Sequence, residues 1–147
     1  MRSLTVHGVV VLLAPLLTAC AWHGQRVKAS LQGESLSYDR VSGRYCEHCS
    51  GTEMVSVGAQ GDGMTPLHLR FEFTSCKYGH ELWISPDGGA ELQYGLAERA
   101  EWAVKGRINC HSGKKDWVDF SFWGDFANGK RIEGRLSTAL KFDAGYD

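Results

Sequence analysis

Residues 117–136, WVDFSFWGDFANGKRIEGRL, contain the pattern that decides the fold. Apolar Phe120 and Phe122 alternate with polar residues before the dipeptide Asn128-Gly129, and a second alternating run follows it. A period of two is typical of a β-strand with one buried face. Asn-Gly between two such runs is a strong hairpin signal. This stretch therefore predicts two antiparallel strands joined by a tight turn.

The register of this hairpin determines which side chains share a face of the sheet. A two-residue turn would place Phe122 opposite Arg135, so the apolar faces of the two strands would not match. One extra residue on the first strand places Phe122 opposite Gly134 instead, and the apolar faces then coincide. We therefore predict a β-bulge near Gly124.

The same alternation recurs along most of the chain. Long alternating runs cover residues 67–74, 102–110 and 132–142, and shorter strands are predicted at 53–57, 80–85 and 91–94. In the second long run, Trp102 and Val104 fall on the apolar parity, and residues 95–101 are the helical candidate. About eight strands with short connections predict a mainly β fold, an antiparallel meander closed as a small barrel or sandwich.

The N-terminus has the composition of an export signal. Arg2 precedes an apolar run over residues 9–17, which is shorter than the roughly 20 residues that a transmembrane helix needs. The run ends in Leu-Thr-Ala-Cys at residues 17–20. This sequence resembles the lipobox of bacterial lipoproteins, in which a signal peptidase cuts before the cysteine and lipid is attached to it.

The resemblance implies that residues 1–19 are a signal peptide and that Cys20 carries a diacylglyceryl group and an acyl chain such as palmitate. Two or three acyl chains anchor a protein stably, whereas one chain binds reversibly. Ala21 replaces the aspartate of inner-membrane enterobacterial lipoproteins, which implies the outer membrane, facing the periplasm. Residues 20–38 show no sustained period and are interpreted as the lipidated N-terminus and tether, which leaves 39–147 as one β domain.

The charge composition argues against a nucleic-acid partner. The chain has 16 Lys and Arg against 17 Asp and Glu, a net charge of −1, and both signs are interspersed. Nucleic-acid-binding domains carry a basic stripe or patch instead. The sequence also contains no phosphate-binding glycine loop and no serine-hydrolase or zinc-protease motif.

Four cysteines remain besides Cys20, namely Cys46, Cys49, Cys76 and Cys110. An even number in an exported chain predicts two disulfides, because the bacterial periplasm is kept oxidising. Four cysteines allow three connectivities. Similar positions at the ends of predicted strands are consistent with Cys76–Cys110, which leaves Cys46–Cys49 as a local loop. The crossed pairings would attach the Cys46 segment to the sheet and close longer loops, so the connectivity stays open.

Zinc binding is the alternative use of these four cysteines. Their thiolates could form a tetrahedral site, with His48, His80 or His111 as substitute ligands. The usual zinc signature has two close cysteine pairs, whereas this chain has one close pair and two single cysteines. We therefore predict no cofactor beyond the covalent lipid and keep zinc as the alternative.

A remote alternative is catalysis by Cys49. The tripeptide Cys49-Ser50-Gly51 is similar to the one that opens the catalytic helix in a family of bacterial cell-wall cysteine peptidases, some of which are outer-membrane lipoproteins. That resemblance implies a cysteine nucleophile with a histidine base, for which His111 is the candidate. The following residues alternate like a strand, and Cys46 would trap the thiol in a disulfide. We therefore predict that the chain is not an enzyme.

Three tryptophans indicate a binding surface. Trp83, Trp117 and Trp123 fall on the parity opposite to the apolar residues of their strands. Exposed aromatic clusters mark binding surfaces, unless the predicted bulge turns Trp123 inward or the tether covers the patch. The sequence thus predicts an envelope lipoprotein whose β domain is a non-catalytic protein-binding module. Its partner would be another envelope protein, with the chain acting as a subunit of an assembly, an inhibitor or an immunity protein.

Overall fold

The computed structural model describes residues 26–36, 38, 40–49, 52–61, 67–96 and 98–143. The predicted signal peptide and the lipidation site Cys20 lie outside these residues. The described strands are β1 (Arg26–Leu31), β2 (Glu34–Leu36), β3 (Arg40–Cys49), β4 (Thr52–Gln60), β5 (Leu67–Thr74), β6 (Glu81–Ile84), β7 (Ala90–Leu96), β8 (Glu101–Lys114), β9 (Trp117–Phe126) and β10 (Arg131–Asp143). In this part of the chain, no helix is long and apolar enough to span a membrane.

All of these strands belong to one sheet that closes on itself. The ring of neighbours runs from β10 through β9, β8, β6 with β7, β5, β4 and β3, and β3 pairs with β10 again. The closing contact is parallel and joins Gly43–Cys46 to Leu140–Asp143. Most other pairs are antiparallel. The predicted closed, mainly antiparallel β architecture is therefore confirmed, with a parallel closure that the sequence did not predict.

The interior of the ring is filled by the side chains of every second residue along the strands. Phe71, Phe120 and Phe122 form its centre, with the Phe71 ring 5.0 Å from that of Phe120 and 4.6 Å from that of Phe122, both edge to face. This geometry is favourable because the positive edge of one ring meets the negative face of another. Both Phe71 and Phe120 are completely buried. Burial of one parity and exposure of the other along each strand is what closes the ring around a core.

The β9–β10 hairpin has the register that the apolar pattern requires. Phe122 pairs with Gly134, as predicted. The Phe126 N–H donates to the Lys130 carbonyl at 2.9 Å, so the connection is a three-residue loop, and its last residue, Gly129, has a φ of 81°. A three-residue loop with glycine in the left-handed region adds the extra residue within the turn itself.

The predicted bulge near Gly124 is therefore wrong in position. The β9–β10 pairing continues past Gly124 without a shift of register. Gly124 instead allows close packing, because a Cβ there would lie 2.5 Å from Leu92 Cδ2 and 3.2 Å from Ala103 Cβ. The hydrophobic pattern specified the register, but it could not distinguish an extra residue in the strand from one in the loop.

A shift of register does occur in β8, and it changes the exposure of two apolar residues. Ala103 pairs with Phe126 and Lys105 with Asp125, so Val104 is the extra residue on β8. An extra residue in a strand moves the side chains on its N-terminal side to the face opposite to the one that simple alternation predicts. Val104 and Trp102, predicted to face the core, are consequently 50% and 51% exposed.

Two further segments differ from the sequence prediction. Residues 26–36, assigned to the tether, form strands β1 and β2, and β1 pairs with β10 from Arg26↔Ser137 to Leu31↔Ile132. The six-residue β1 alternates too briefly to stand out in the sequence. In the helical candidate at 95–101, Gly95 and Leu96 end β7, Glu101 begins β8, and the described residues 98–100 form a turn between them. Gly95 has a φ of 139°, which is incompatible with a helix.

Candidate functional site

The outer wall formed by β6, β8 and β9 brings two of the predicted tryptophans together. Trp83 of β6 pairs with Arg107 of β8, and Arg107 pairs with Trp123 of β9. Paired residues of neighbouring strands share a face, and neighbouring strands are about 4.8 Å apart. The three side chains therefore lie in one row across the outside of the ring.

Arginine side chains stack on both of these tryptophan rings. The guanidinium carbon of Arg107 lies 4.4 Å from the centre of the Trp83 ring, and that of Arg131 lies 4.4 Å from the Trp123 ring. Cation–π attraction is strongest for tryptophan and operates at such distances. We call Trp83, Arg107, Trp123 and Arg131 the tryptophan–arginine row.

Two carboxylates hold the arginines of the row in place. Glu81 Oε1 lies 3.4 Å from Arg107 Nη1, and Asp125 Oδ1 lies 2.8 Å from Arg131 Nε. Each arginine is therefore neutralised by one acid, so the row presents flat aromatic and guanidinium surfaces without a large net charge. The Nε of Arg107 is buried and has no hydrogen-bond partner in the described part of the chain. Trp83 is half exposed.

The third predicted tryptophan does not join the row. Trp117 lies on the same outward parity of β9 as Trp123, but six residues away, which corresponds to about 20 Å along a strand. It pairs with Ala139 of β10 and Lys114 of β8 instead. The patch predicted from parity is therefore divided, with Trp83 and Trp123 on one part of the wall and Trp117 on another.

Sequence reasoning missed the two arginines of the row. Arg107 lies between two tryptophans only because β6 and β9 both pair with β8, which is a long-range feature. Arg131 could have been found, since the predicted hairpin register places it close to Trp123 on the neighbouring strand. Trp102 was missed as an exposed residue because the β8 bulge reverses its parity.

The four cysteines of the domain form two disulfides, as predicted, and the structure selects one of the three connectivities. Cys46 is bonded to Cys49, with 5.6 Å between their Cα atoms, and Cys76 is bonded to Cys110, with 5.7 Å. The first bond crosses the end of β3, and the second joins the segment after β5 to β8. Zinc requires free thiolates, which a disulfide removes. The described residues contain no cluster of three or more His, Cys, Asp and Glu side chains arranged for a metal ion.

The surroundings of Cys49 differ from those that the peptidase resemblance implies. Cys49 is the last residue of strand β3 and is oxidised, whereas a nucleophilic cysteine is a free thiolate, typically at a helix N-terminus. His111, the candidate base, has its Nε2 2.9 Å from Ser121 Oγ. Ser50 and Gly51, which carry the rest of the resemblance, lie outside the described residues.

The chain matches no protein-family model, no curated protein and no solved structure. A functional assignment must therefore be argued from the geometry and chemistry of the side chains.

Proposed function

We propose that this chain is a lipid-anchored protein of the bacterial cell envelope whose β domain binds another envelope protein through the tryptophan–arginine row. One observation carries the proposal: Trp83 and Trp123 flank Arg107 on the outer wall, and an arginine stacks on each ring. Tryptophan and arginine, with tyrosine, are enriched among the residues that dominate the energy of protein interfaces.

The way the side chains of the row are supported favours a role in binding. The side chains project from neighbouring paired strands of a closed sheet, and each arginine is held by a carboxylate. Little conformational entropy is then lost when a partner covers these residues, which lowers the cost of association. The paired charges also favour a protein surface over a polyanion such as nucleic acid, because no unpaired cationic stripe runs along the row.

The proposed anchor limits where the partner can be. Strand β1 begins at Arg26, six residues after the proposed lipidation site Cys20. Six extended residues span at most about 20 Å, so the β domain would lie close to the membrane surface. The proposal therefore places the partner at the membrane, as a subunit of an envelope assembly or as a protein that this chain inhibits or neutralises.

A capture experiment with matched variants tests the binding surface. The wild-type chain, a Trp83→Ala, Trp123→Ala double variant and a Trp117→Ala control are cross-linked in the intact envelope and purified, and the captured proteins are quantified. We expect one partner to be retained by wild type and by the control, and to fall at least about tenfold with the double variant. Purified partner should then bind with the same ranking. Equal capture by all three chains contradicts the proposal.

A second experiment tests the anchor separately. The wild-type chain should incorporate labelled palmitate and fractionate with membranes, whereas a Cys20→Ser variant should lose both the label and the membrane association. If the variant stays in the membrane fraction, another part of the chain anchors it. This result would leave the assignment of the binding surface unaffected, because the row lies elsewhere in the molecule.

A further inference from the structure

One end of the strand ring contains a cavity that the tryptophan–arginine row does not use. The cavity has a volume of about 220 Å³ and lies among the end of β5, the start of β4 and the turn between β8 and β9. The two disulfides lie at this same end, and Cys76 contributes to the wall of the cavity. Ligand sites often occupy the ends of closed strand rings, because there the inward side chains stop and leave space.

The floor of the cavity is formed by inward side chains of four strands. Val55, Val118 and Leu140 provide an apolar surface, and Tyr45 lies beside them. All four residues are at least nine-tenths buried. An apolar group that entered the cavity would therefore be removed from water against a surface that is already formed.

The rim of the cavity is rich in lysine. Lys77, Lys114 and Lys115 all line it. Lys115 Nζ is 2.9 Å from Glu47 Oε1, whereas Lys77 and Lys114 form no ion pair with any of the described residues. Glu53 is the carboxylate that also lines the cavity. The ammonium groups of Lys77 and Lys114, set against the single carboxylate of Glu53, leave an excess of one positive charge at the rim. This excess, next to an apolar floor, favours a ligand with one negative charge.

The Tyr45 hydroxyl gives a second, independent indication of a ligand. Its oxygen is buried and has no hydrogen-bond partner within normal geometry in the described part of the chain. Burial raises the pKa of Tyr45 above its ordinary value, and an interaction of the hydroxyl with the nearby Glu53 carboxylate, outside normal hydrogen-bond geometry, raises it further. The hydroxyl therefore stays protonated and can donate a hydrogen bond. A buried hydroxyl without a hydrogen bond of normal geometry is unfavourable, and a ligand oxygen placed beside it would supply one.

We propose that this cavity binds a small carboxylate that carries a short apolar group. The apolar group lies on Val55, Val118 and Leu140, and the carboxylate accepts a hydrogen bond from the Tyr45 hydroxyl and faces the rim lysines. The volume is below the roughly 300–1,000 Å³ of sites for drug-sized ligands, so the ligand has only a few carbon atoms beyond its carboxylate. Such a group belongs to a short-chain acid or to the C-terminal residue of a peptide.

Binding is tested with hexanoate and with N-acetyl-leucine, which represent these two sources, and with hexanol as the uncharged counterpart of hexanoate. The protein is the Cys20→Ser chain, exported so that its disulfides form. We expect hexanoate or N-acetyl-leucine to bind with a dissociation constant of about 1 mM or lower. Amide and methyl shifts in two-dimensional NMR should be concentrated at Val55, Val118 and Leu140. The acid that binds more tightly shows whether the ligand is a short-chain acid or the C-terminal residue of a peptide.

Matched variants assign the binding to the cavity. Tyr45→Phe keeps the ring and should weaken binding about tenfold, because it removes a hydrogen bond to a charged group. Lys77→Gln with Lys114→Gln should weaken it about fivefold. The control, Lys105→Gln with Lys130→Gln, changes the net charge equally at exposed positions outside the cavity and should change binding less than about twofold.

Three results would overturn the proposal. They are equal affinity for hexanol and hexanoate, equal effects of the two lysine double variants, and NMR shifts that lie outside the cavity. The Trp83→Ala, Trp123→Ala variant should bind the acid like wild type, because its residues are on the outer wall. If this variant loses partner capture but still binds the acid, the row and the cavity are separate sites. Each proposal can therefore fail without the other.

Discussion

The outer walls of β9 and β4 differ, although both strands contribute to the same core. In β9 the inward residues include Phe120 and Phe122, and the outward ones are Trp, Asp, Ser, Trp and Asp. In β4 the inward residues are Val and Ala, and the outward ones from Met54 onward are Met, Ser, Gly and Gln. A shallow concavity with a volume of about 700 Å³ lies along β3, β4 and β5, and its lining includes Ser42, Gly43, Ser56 and Gly58.

The comparison separates what maintains the fold from what forms a site. Inward residues are apolar on every wall apart from the buried Thr138 of β10, because the ring closes only if one face of each strand leaves water. Outward residues are free of this requirement, so β9 contributes Trp123 to the tryptophan–arginine row, whereas the outward face of β4 has no aromatic or charged side chain from Met54 to Gln60. Substitutions on the inward parity should therefore affect stability, and substitutions on the outward parity should affect binding.

The largest expected effect is at the centre of the core. Phe120→Ala should destabilise the domain by about 3–5 kcal/mol, because Phe120 is completely buried and the ring interior cannot collapse to fill the space. Trp123→Ala on the same strand is the outward control and should cost about 1 kcal/mol. Urea unfolding followed by far-ultraviolet circular dichroism measures both. Similar costs for the two variants would contradict the assignment of the parities.

The two disulfides should differ in their contribution to stability. Cys76 and Cys110 are 34 positions apart, whereas Cys46 and Cys49 are only three apart. In the chain-entropy description, a longer closed loop restricts the unfolded chain more. Replacing Cys76 and Cys110 together by Ser should cost about 4 kcal/mol, and replacing Cys46 and Cys49 about 2 kcal/mol. Urea unfolding of both double variants tests the order, and the reverse order would refute this account.

Stacking within the row should be measurable by a double-mutant cycle. The coupling between Trp83→Ala and Arg107→Ala should be about 0.5–1 kcal/mol, the range for cation–π pairs at exposed sites. Trp117 and Arg107 are distant on the wall and should show no coupling, which makes this pair the control. A Trp83–Arg107 coupling indistinguishable from the control would mean that the arginine does not stack in solution.

The smallest effect should come from an ion pair between the outward faces of β9 and β10. Arg135 donates two hydrogen bonds to the Asp119 carboxylate, at 2.9 and 2.6 Å, and this hydrogen bonding lowers the pKa of Asp119 below its ordinary value. Protonation of Asp119 is thus harder in the folded chain. The stabilisation is present above the ordinary aspartate pKa of about 3.9 and is lost as the pH falls through the lowered value.

Arg135→Gln should therefore destabilise the domain by less than about 1 kcal/mol at pH 7, since Arg135 is largely exposed. The difference from wild type should disappear at low pH, once Asp119 is protonated in both chains. Urea unfolding at a series of pH values from 7 downward through the acid range tests this dependence. A difference that persists unchanged at the lowest pH would show that the pair does not account for it.

Much of the fold was predictable because it depends on local alternation. The strands around Phe71 and Phe120 followed from parity, and the presence of two disulfides followed from the count of cysteines, whereas their connectivity did not. The short strand at Arg26–Leu31 was missed because its pairing partner lies more than 100 positions away on β10. The exposure of Trp102 was missed because one extra residue in β8 reverses its parity.

By itself, the sequence determined which residues face inward in most strands, and hence a closed β fold with the Phe122–Gly134 register. It did so because burial of apolar side chains acts on every second residue and can be read locally. Only the tertiary structure decided which outward residues become neighbours. Trp83, Arg107 and Trp123 form one row, and Trp117 lies apart, because pairing between strands distant in the chain sets those positions. The tertiary structure also created the cavity at Tyr45, because it brings the ends of separate strands together around one space.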